Sequence, residues 1–129
     1  MKLYVWDRVV ALKGDTHGLV VVFAENKKEA VDLAIREFFY EEIESNSVFS
    51  FIQDLEDIIQ DRYPQYAHII EKHGCLDIVD VMDEMPDVVE DISELRAIKI
   101  LKDELERTKP KVFGNGESVA FYIWGSELG

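Results

Sequence analysis

The 129-residue chain has one cysteine, three prolines and no run of 18 apolar residues. A lone Cys75 cannot close an intramolecular disulfide, nor can it build a multi-cysteine zinc site within one chain. The lack of a long apolar run argues against a spanning helix, and the opening MKLYVWDRVV reaches Asp7 and Arg8 before any signal-length apolar stretch. These absences predict a soluble protein of a reducing cytoplasm. Cations are the other shortage: 14 Lys and Arg face 27 Asp and Glu, for a formal charge of −13. A field of that sign repels phosphate backbones and anionic membranes, so direct binding to either is disfavoured. Cations and basic protein surfaces are the partners it suits.

What is present supports one domain over 1–129, because 47% of the residues are hydrophobic and a chain of this size buries one core. Residues 2–12 and 19–24 are rich in aromatic and β-branched types and flank KGDTHG, where Gly14 and Gly18 supply turn conformations, which predicts an antiparallel hairpin. Asn26 and Glu29 have capping-box spacing, and apolar residues recur every four positions from Ala30 to Phe39, predicting a helix over 27–44. A second helix follows Ser45–Ser47, with Val48, Phe51, Ile52, Leu55, Ile58, Ile59 and then Arg62 or Tyr63 on its buried stripe. Pro64 interrupts it, and a further turn or two ends at Gly74, placed as the residue after a helix C-terminus.

Residues 75–82 fit either a short helix capped by Asp77 or a strand, and Pro86 breaks whichever forms. Asp91 with Glu94 resembles another capping box, opening a helix that runs to about 108. At the C-terminus the turn dipeptide Asn115–Gly116 separates Lys111–Phe113 from the β-prone Val119–Trp124, predicting a second hairpin. The fold class expected is α+β: a small antiparallel sheet from N- and C-terminal hairpins, with three or four helices packed on one face.

Tyr4-Val5-Trp6 and Tyr122-Ile123-Trp124 echo one another, and strand alternation sets each pair of rings on one face. Packing within the sheet explains them; the alternative is a stacking platform in which Tyr4, Trp6, Phe121, Tyr122 and Trp124 line a pocket for a nucleotide or other planar ligand.

No catalytic constellation stands out among the 27 acids. His68 and His73 are five positions apart, roughly 140° around a helix, unlike the i, i+4 pair of a helical zinc site. Asp77, Asp80 and Asp83 lack the glycine and alternating oxygens of a calcium loop. Cys75 beside His73 has acidic neighbours, which raise a thiol pKa, and GNGES lacks the lysine and spacing of a P-loop. The expectation is a non-enzymatic protein with no metal and no cofactor.

The most unusual stretch is CLDIVDVMDEMPDVVEDISE, residues 75–94, which holds eight carboxylates and no Lys, Arg or His. In helical flanks Asp77, Asp80, Glu84, Asp87, Asp91 and Glu94 recur every three or four residues and are therefore neighbours, and with Asp83 and Glu90 they make up the candidate partner-binding residues. Solvated surface accounts for such a row, and so does a cationic partner. Pro86 argues against one straight rod of charge.

The opening YVWDRVVALKGDTHGLVVVFAENKKEAVDLA and the closing AFYIWG resemble a group of small bacteriophage accessory proteins that begin with a Y-V-W strand, a glycine-containing turn, a V-V-x-A strand and a helix, and end in an aromatic strand running into glycine. The likeness covers about the first 38 and last 15 residues. It implies a viral accessory protein of the host cytoplasm with a small mixed sheet, and it implies no reaction. Joined to the acidic row, it leads to an expected function: electrostatic binding of a basic host protein or ribonucleoprotein, inhibiting a nucleic-acid-handling defence complex in the manner of acidic anti-CRISPR proteins. Glu41, Glu42, Glu44, Asp54, Asp57 and Asp61 would assist. The alternatives are the aromatic-pocket binder and a structural homo-oligomer joined through the apolar residues of 78–89.

Overall fold

The computed structural model describes residues 1–12, 18–42, 48–73 and 76–114. The architecture is α+β, and the described residues form one three-stranded antiparallel sheet and six α-helices. The chain divides into two units, residues 1–34 with 100–129 and residues 35–99.

In the first unit the strands are β1 (Lys2–Trp6), β2 (Val20–Ala24) and β3 (Lys111–Phe113), in the order β2-β1-β3. Tyr4 lies opposite Val22 on one side and Val112 on the other, so β1 is the central strand. Leu3, Tyr4 and Trp6 are all buried, as a central strand's alternating residues are when both faces are covered. Lys111–Phe113 thus forms a strand, paired to β1. The expected turn at Asn115–Gly116 and strand Val119–Trp124 lie outside the described residues.

The first strand was expected to run to residue 12, but it stops at Trp6. Arg8 adopts a left-handed φ of 58°, which turns the chain, and the Val9 amide donates to the Gly18 carbonyl at 2.9 Å. The next two amides, of Val10 and Ala11, donate to the Glu104 carboxylate at 2.6 and 2.8 Å. A side chain therefore takes the donors that a longer strand would give to its neighbour. Gly18 is required here: its φ is +70°, and a Cβ would lie 2.3 Å from the Val9 carbonyl oxygen.

Helix α1 spans Lys27–Glu42. Its capping box forms with a shift: Asn26 Oδ1 accepts from the Glu29 amide at 2.9 Å, while the Glu29 carboxylate accepts from the amide of Glu25, at 3.1 Å, one residue before the cap. Helix α6, Ser93–Arg107, buries Leu95, Ile98, Leu101 and Leu105 almost completely, which follows from their three-four spacing. Its C-terminal carbonyls meet a cation, since Lys27 Nζ donates to the carbonyls of Glu106 and Thr108 at 2.8 and 3.1 Å.

In the second unit α2 (Val48–Arg62) buries Leu55 and Ile59. Pro64 begins a 3-10 turn, Pro64–Tyr66, that leads into α3 (Ala67–His73); the expected terminator Gly74 lies outside the described residues. Of Arg62 or Tyr63, expected to end the buried stripe, the first is exposed and the second half-exposed. Residues 78–84 settle as helix α4, capped by Asp77, whose carboxylate accepts from the Val79 amide at 3.0 Å. Pro86 ends that segment and opens α5 (Pro86–Asp91), where a first-turn residue needs no amide donor. Counting α4 and α5 separately, and α3 apart from α2, raises the helix number above the three or four expected. The expected Asp91–Glu94 box is absent: Asp91 closes α5, and Ile92 in extended conformation precedes α6.

Candidate functional site

The acidic row occupies α4, α5 and the start of α6 in the second unit. Amphipathic spacing positions it: Ile78, Val79, Val81, Met82, Met85, Val88 and Val89 are all buried, which turns the intervening carboxylates outward. Asp83, Glu84, Asp87, Glu90, Asp91 and Glu94 are exposed, and Asp77 and Asp80 half-buried. The row bends at Met85, whose φ of −126° and ψ of 62° separate the two short helices, so it is not one straight rod.

The members differ in their partners. Asp77 is paired with a cation: Arg36 of α1 places Nη2 at 2.9 Å from Oδ2 and its Nε at 3.3 Å from both oxygens. Burial pushes the Asp77 carboxyl up, but the Arg36 guanidinium and the Val79 amide outweigh it and hold the group below the ordinary aspartate value. A half-exposed pair of this kind stabilises by about 1 kcal/mol or less. Asp87 and Asp91, one turn apart on α5, accept instead from phenols: Tyr66 donates to Asp87 at 3.2 Å and Tyr63 donates to Asp91. For Tyr63 the bond to Asp91 comes first and partial desolvation next, and for Tyr66 the order is reversed; both phenols titrate above the ordinary tyrosine value. Glu94 accepts from the Ser93 hydroxyl at 3.2 Å, and the Glu90 carbonyl accepts from Arg96 at 2.8 Å.

Phenols and hydroxyls are neutral donors. They orient Asp87, Asp91 and Glu94 without bringing a compensating positive charge. Sequence reasoning missed Tyr63, Tyr66 and Arg36. The tyrosines flank Pro64, and the three-four stripe of the helix before that proline pointed to Arg62 or Tyr63 as a buried residue; Arg36 belongs to no motif that would single it out.

Charge is partitioned between the units. Residues 35–99 carry 17 of the 27 carboxylates and 5 of the 14 Lys and Arg, a net −12, and the rest of the chain carries −1. Asp54, Asp57 and Asp61 are exposed on α2 and Glu41 on α1 within the same unit, while Glu44 and the Glu42 side chain lie outside the described residues.

Of the aromatic candidates, Tyr4 and Trp6 stack with centroids 6.2 Å apart and are 6% and 2% exposed. The Trp6 indole N–H donates to the Leu105 carbonyl at 3.1 Å. Phe121, Tyr122 and Trp124 lie outside the described residues, as do His17 and Cys75. Among the described residues no three His, Cys, Asp or Glu side chains converge as a metal site would require, and no helix is long and apolar enough to cross a membrane.

No protein-family model, curated protein or solved structure matches the chain.

Proposed function

We propose that the protein is a non-enzymatic binding module whose acidic helical unit engages a basic protein surface. One observation carries the reading: nearly the whole formal charge, −12 of −13, falls in residues 35–99. An even spread would serve solubility; concentration in one unit gives a field that steers and orients a cationic partner. Two carboxylates of that unit, Asp87 and Asp91, are held in place by neutral phenols, which sets their positions at no loss of charge. The narrower form, a bacteriophage accessory protein that occupies the Lys- and Arg-lined groove of a nucleic-acid-handling host complex, draws its support from the sequence resemblance.

The test is binding to a purified basic nucleic-acid-binding protein, followed as salt is raised from 50 to 500 mM. Affinity should fall by about tenfold or more as screening sets in. It should be lost on reversing Glu84, Asp87 and Glu90 to lysine, and kept on reversing Glu25 and Glu106 in the other unit. Salt-independent affinity, or equal effects from the two sets of reversals, overturns the reading.

A further inference from the structure

The two outer strands of the sheet are unlike. Strand β3 is three residues long, begins with the exposed Lys111 and follows Pro110, features that blunt an edge against further pairing. Strand β2, Val20–Ala24, reads VVVFA and has no charge, proline or glycine. Among the described residues it pairs only with β1. In an antiparallel ladder alternate residues of an edge strand turn their N–H and C=O groups away from the neighbour, so the outer side of β2 offers donors and acceptors to another strand.

Side chains add apolar surface to that edge. Phe23 lies opposite Leu3 and Leu3 opposite Phe113, so the three form a row across one face of the sheet. Leu3, in the middle, is 3% exposed, whereas Phe23, at the margin, is 62% exposed. The ring lacks a neighbour on the side where the sheet ends.

The strand is complementary to itself. Two copies of β2 set antiparallel about a two-fold axis at Val22 place Val20 opposite Ala24 and Val21 opposite Phe23, apolar on apolar throughout. The row from Phe113 through Leu3 to Phe23 is then continued by Val21 and Val5 of the second copy. Glu25, which follows the strand, falls opposite Leu19 and not opposite its own copy. Charge also decides where a second copy can approach, since two units of −12 repel while the unit that holds the sheet carries −1.

We propose that β2 pairs with β2 of a second copy, giving a two-fold dimer with one sheet continuous through both chains. Pairing over five residues is a small interface, so the dimer is weak and reversible. The inference is independent of the protein-binding reading, because it uses an uncharged edge of the other unit. Salt moves the two associations in opposite directions: it weakens attraction to a basic partner and relieves repulsion between two chains of −13.

Sedimentation of the full chain from about 5 to about 500 μM tests it. A monomer–dimer equilibrium should appear and tighten about fivefold or more between about 50 and about 500 mM NaCl. Phe23→Lys, at an exposed ring and with the fold checked by circular dichroism, should weaken it about tenfold or more. Val10→Lys, at a residue of the same unit that is 71% exposed and outside β2, should leave it unchanged. Hydrogen exchange needs no variant: the outward amides of Val20–Ala24 should exchange freely in the dilute monomer and gain protection as concentration rises. A monomer throughout, association that weakens with salt, wild-type association by Phe23→Lys, equal losses from Phe23→Lys and Val10→Lys, or outward amides protected at every concentration by another part of the chain overturns the proposal.

Discussion

Glu104 and Val10, 94 residues apart in sequence, are joined by a 2.6 Å hydrogen bond from the Val10 amide to the Glu104 carboxylate, whose other oxygen takes the Ala11 amide at 2.8 Å. Glu104 is only 7% exposed, and its charge is matched by two backbone dipoles. Replacing it with alanine strands both amides, and hydrogen bonds to a charged group are worth roughly 1.5–3 kcal/mol. Glu104→Ala should therefore lower unfolding stability by about that amount in urea, with Glu104→Gln, which retains one acceptor oxygen, falling between it and the wild type.

Two positions in the same loop should respond to glycine in opposite senses. Gly18 has a φ of +70°, and a Cβ there meets backbone atoms of Val9 at 2.3 and 2.6 Å, so Gly18→Ala should destabilise by about 2 kcal/mol or more. Arg8 holds a φ of 58° with a side chain that disfavours it. Arg8→Gly relieves that conformation and should be neutral to stabilising by up to about 1 kcal/mol. Thermal melts of the two variants side by side check the sign.

These loop features mark where the sequence stopped being legible. Periodicity located α1, α2 and α6, because a buried stripe every three or four residues is written directly in Ala30 to Phe39 and in Leu95 to Leu105. It could not end β1 at Trp6, because residues 9–11 keep strand-like composition while a carboxylate from far along the chain takes the amides of Val10 and Ala11. The helix-or-strand ambiguity at 75–82 is settled by Asp77 capping Val79, a local signal that was visible, strengthened by Arg36, a long-range partner that was not. The acidic row was legible as a list of residues. Its division into a cation-paired Asp77 and phenol-held Asp87 and Asp91 needed the fold.

Asp77 should leave a signature at acid pH. Its native pKa is lowered, so its contribution is complete above the ordinary aspartate value and is lost as pH falls through the native one. Asp77→Asn keeps an acceptor for the α4 cap but removes that titration. Urea midpoints measured from pH 7 down to pH 2.5 should fall more steeply for the wild type than for Asp77→Asn, with the two curves converging at the acid end.

Tyr63 and Tyr66 predict the opposite limb. A raised phenol pKa means that the folded state holds the proton more tightly, so the contribution is present below the ordinary tyrosine value and is lost as pH rises through the native one. Absorbance at 295 nm should show two phenols ionising late in the wild type. Tyr63→Phe and Tyr66→Phe should each remove one of these, and each should flatten the loss of stability with alkali.

A net −12 in residues 35–99 opposes the compaction of that unit, and its short α4 and α5 have few residues with which to resist. The Debye length is about 10 Å at 0.1 M salt and about 3 Å at 1 M, so added salt screens repulsion between neighbouring carboxylates. Raising NaCl from 20 mM to 0.5 M should increase the melting temperature by several degrees. Glu84→Gln with Glu90→Gln should raise it at low salt and shrink the increment, because each removed like-charge neighbour returns a few tenths of a kcal/mol. A variant that gains stability in this way while losing affinity for a basic partner would tie both effects to the same carboxylates, the pattern expected where charge is kept for binding at the expense of the fold. A melting temperature indifferent to salt would mean that the row is already compensated within the chain, and the protein-binding reading would lose its electrostatic basis.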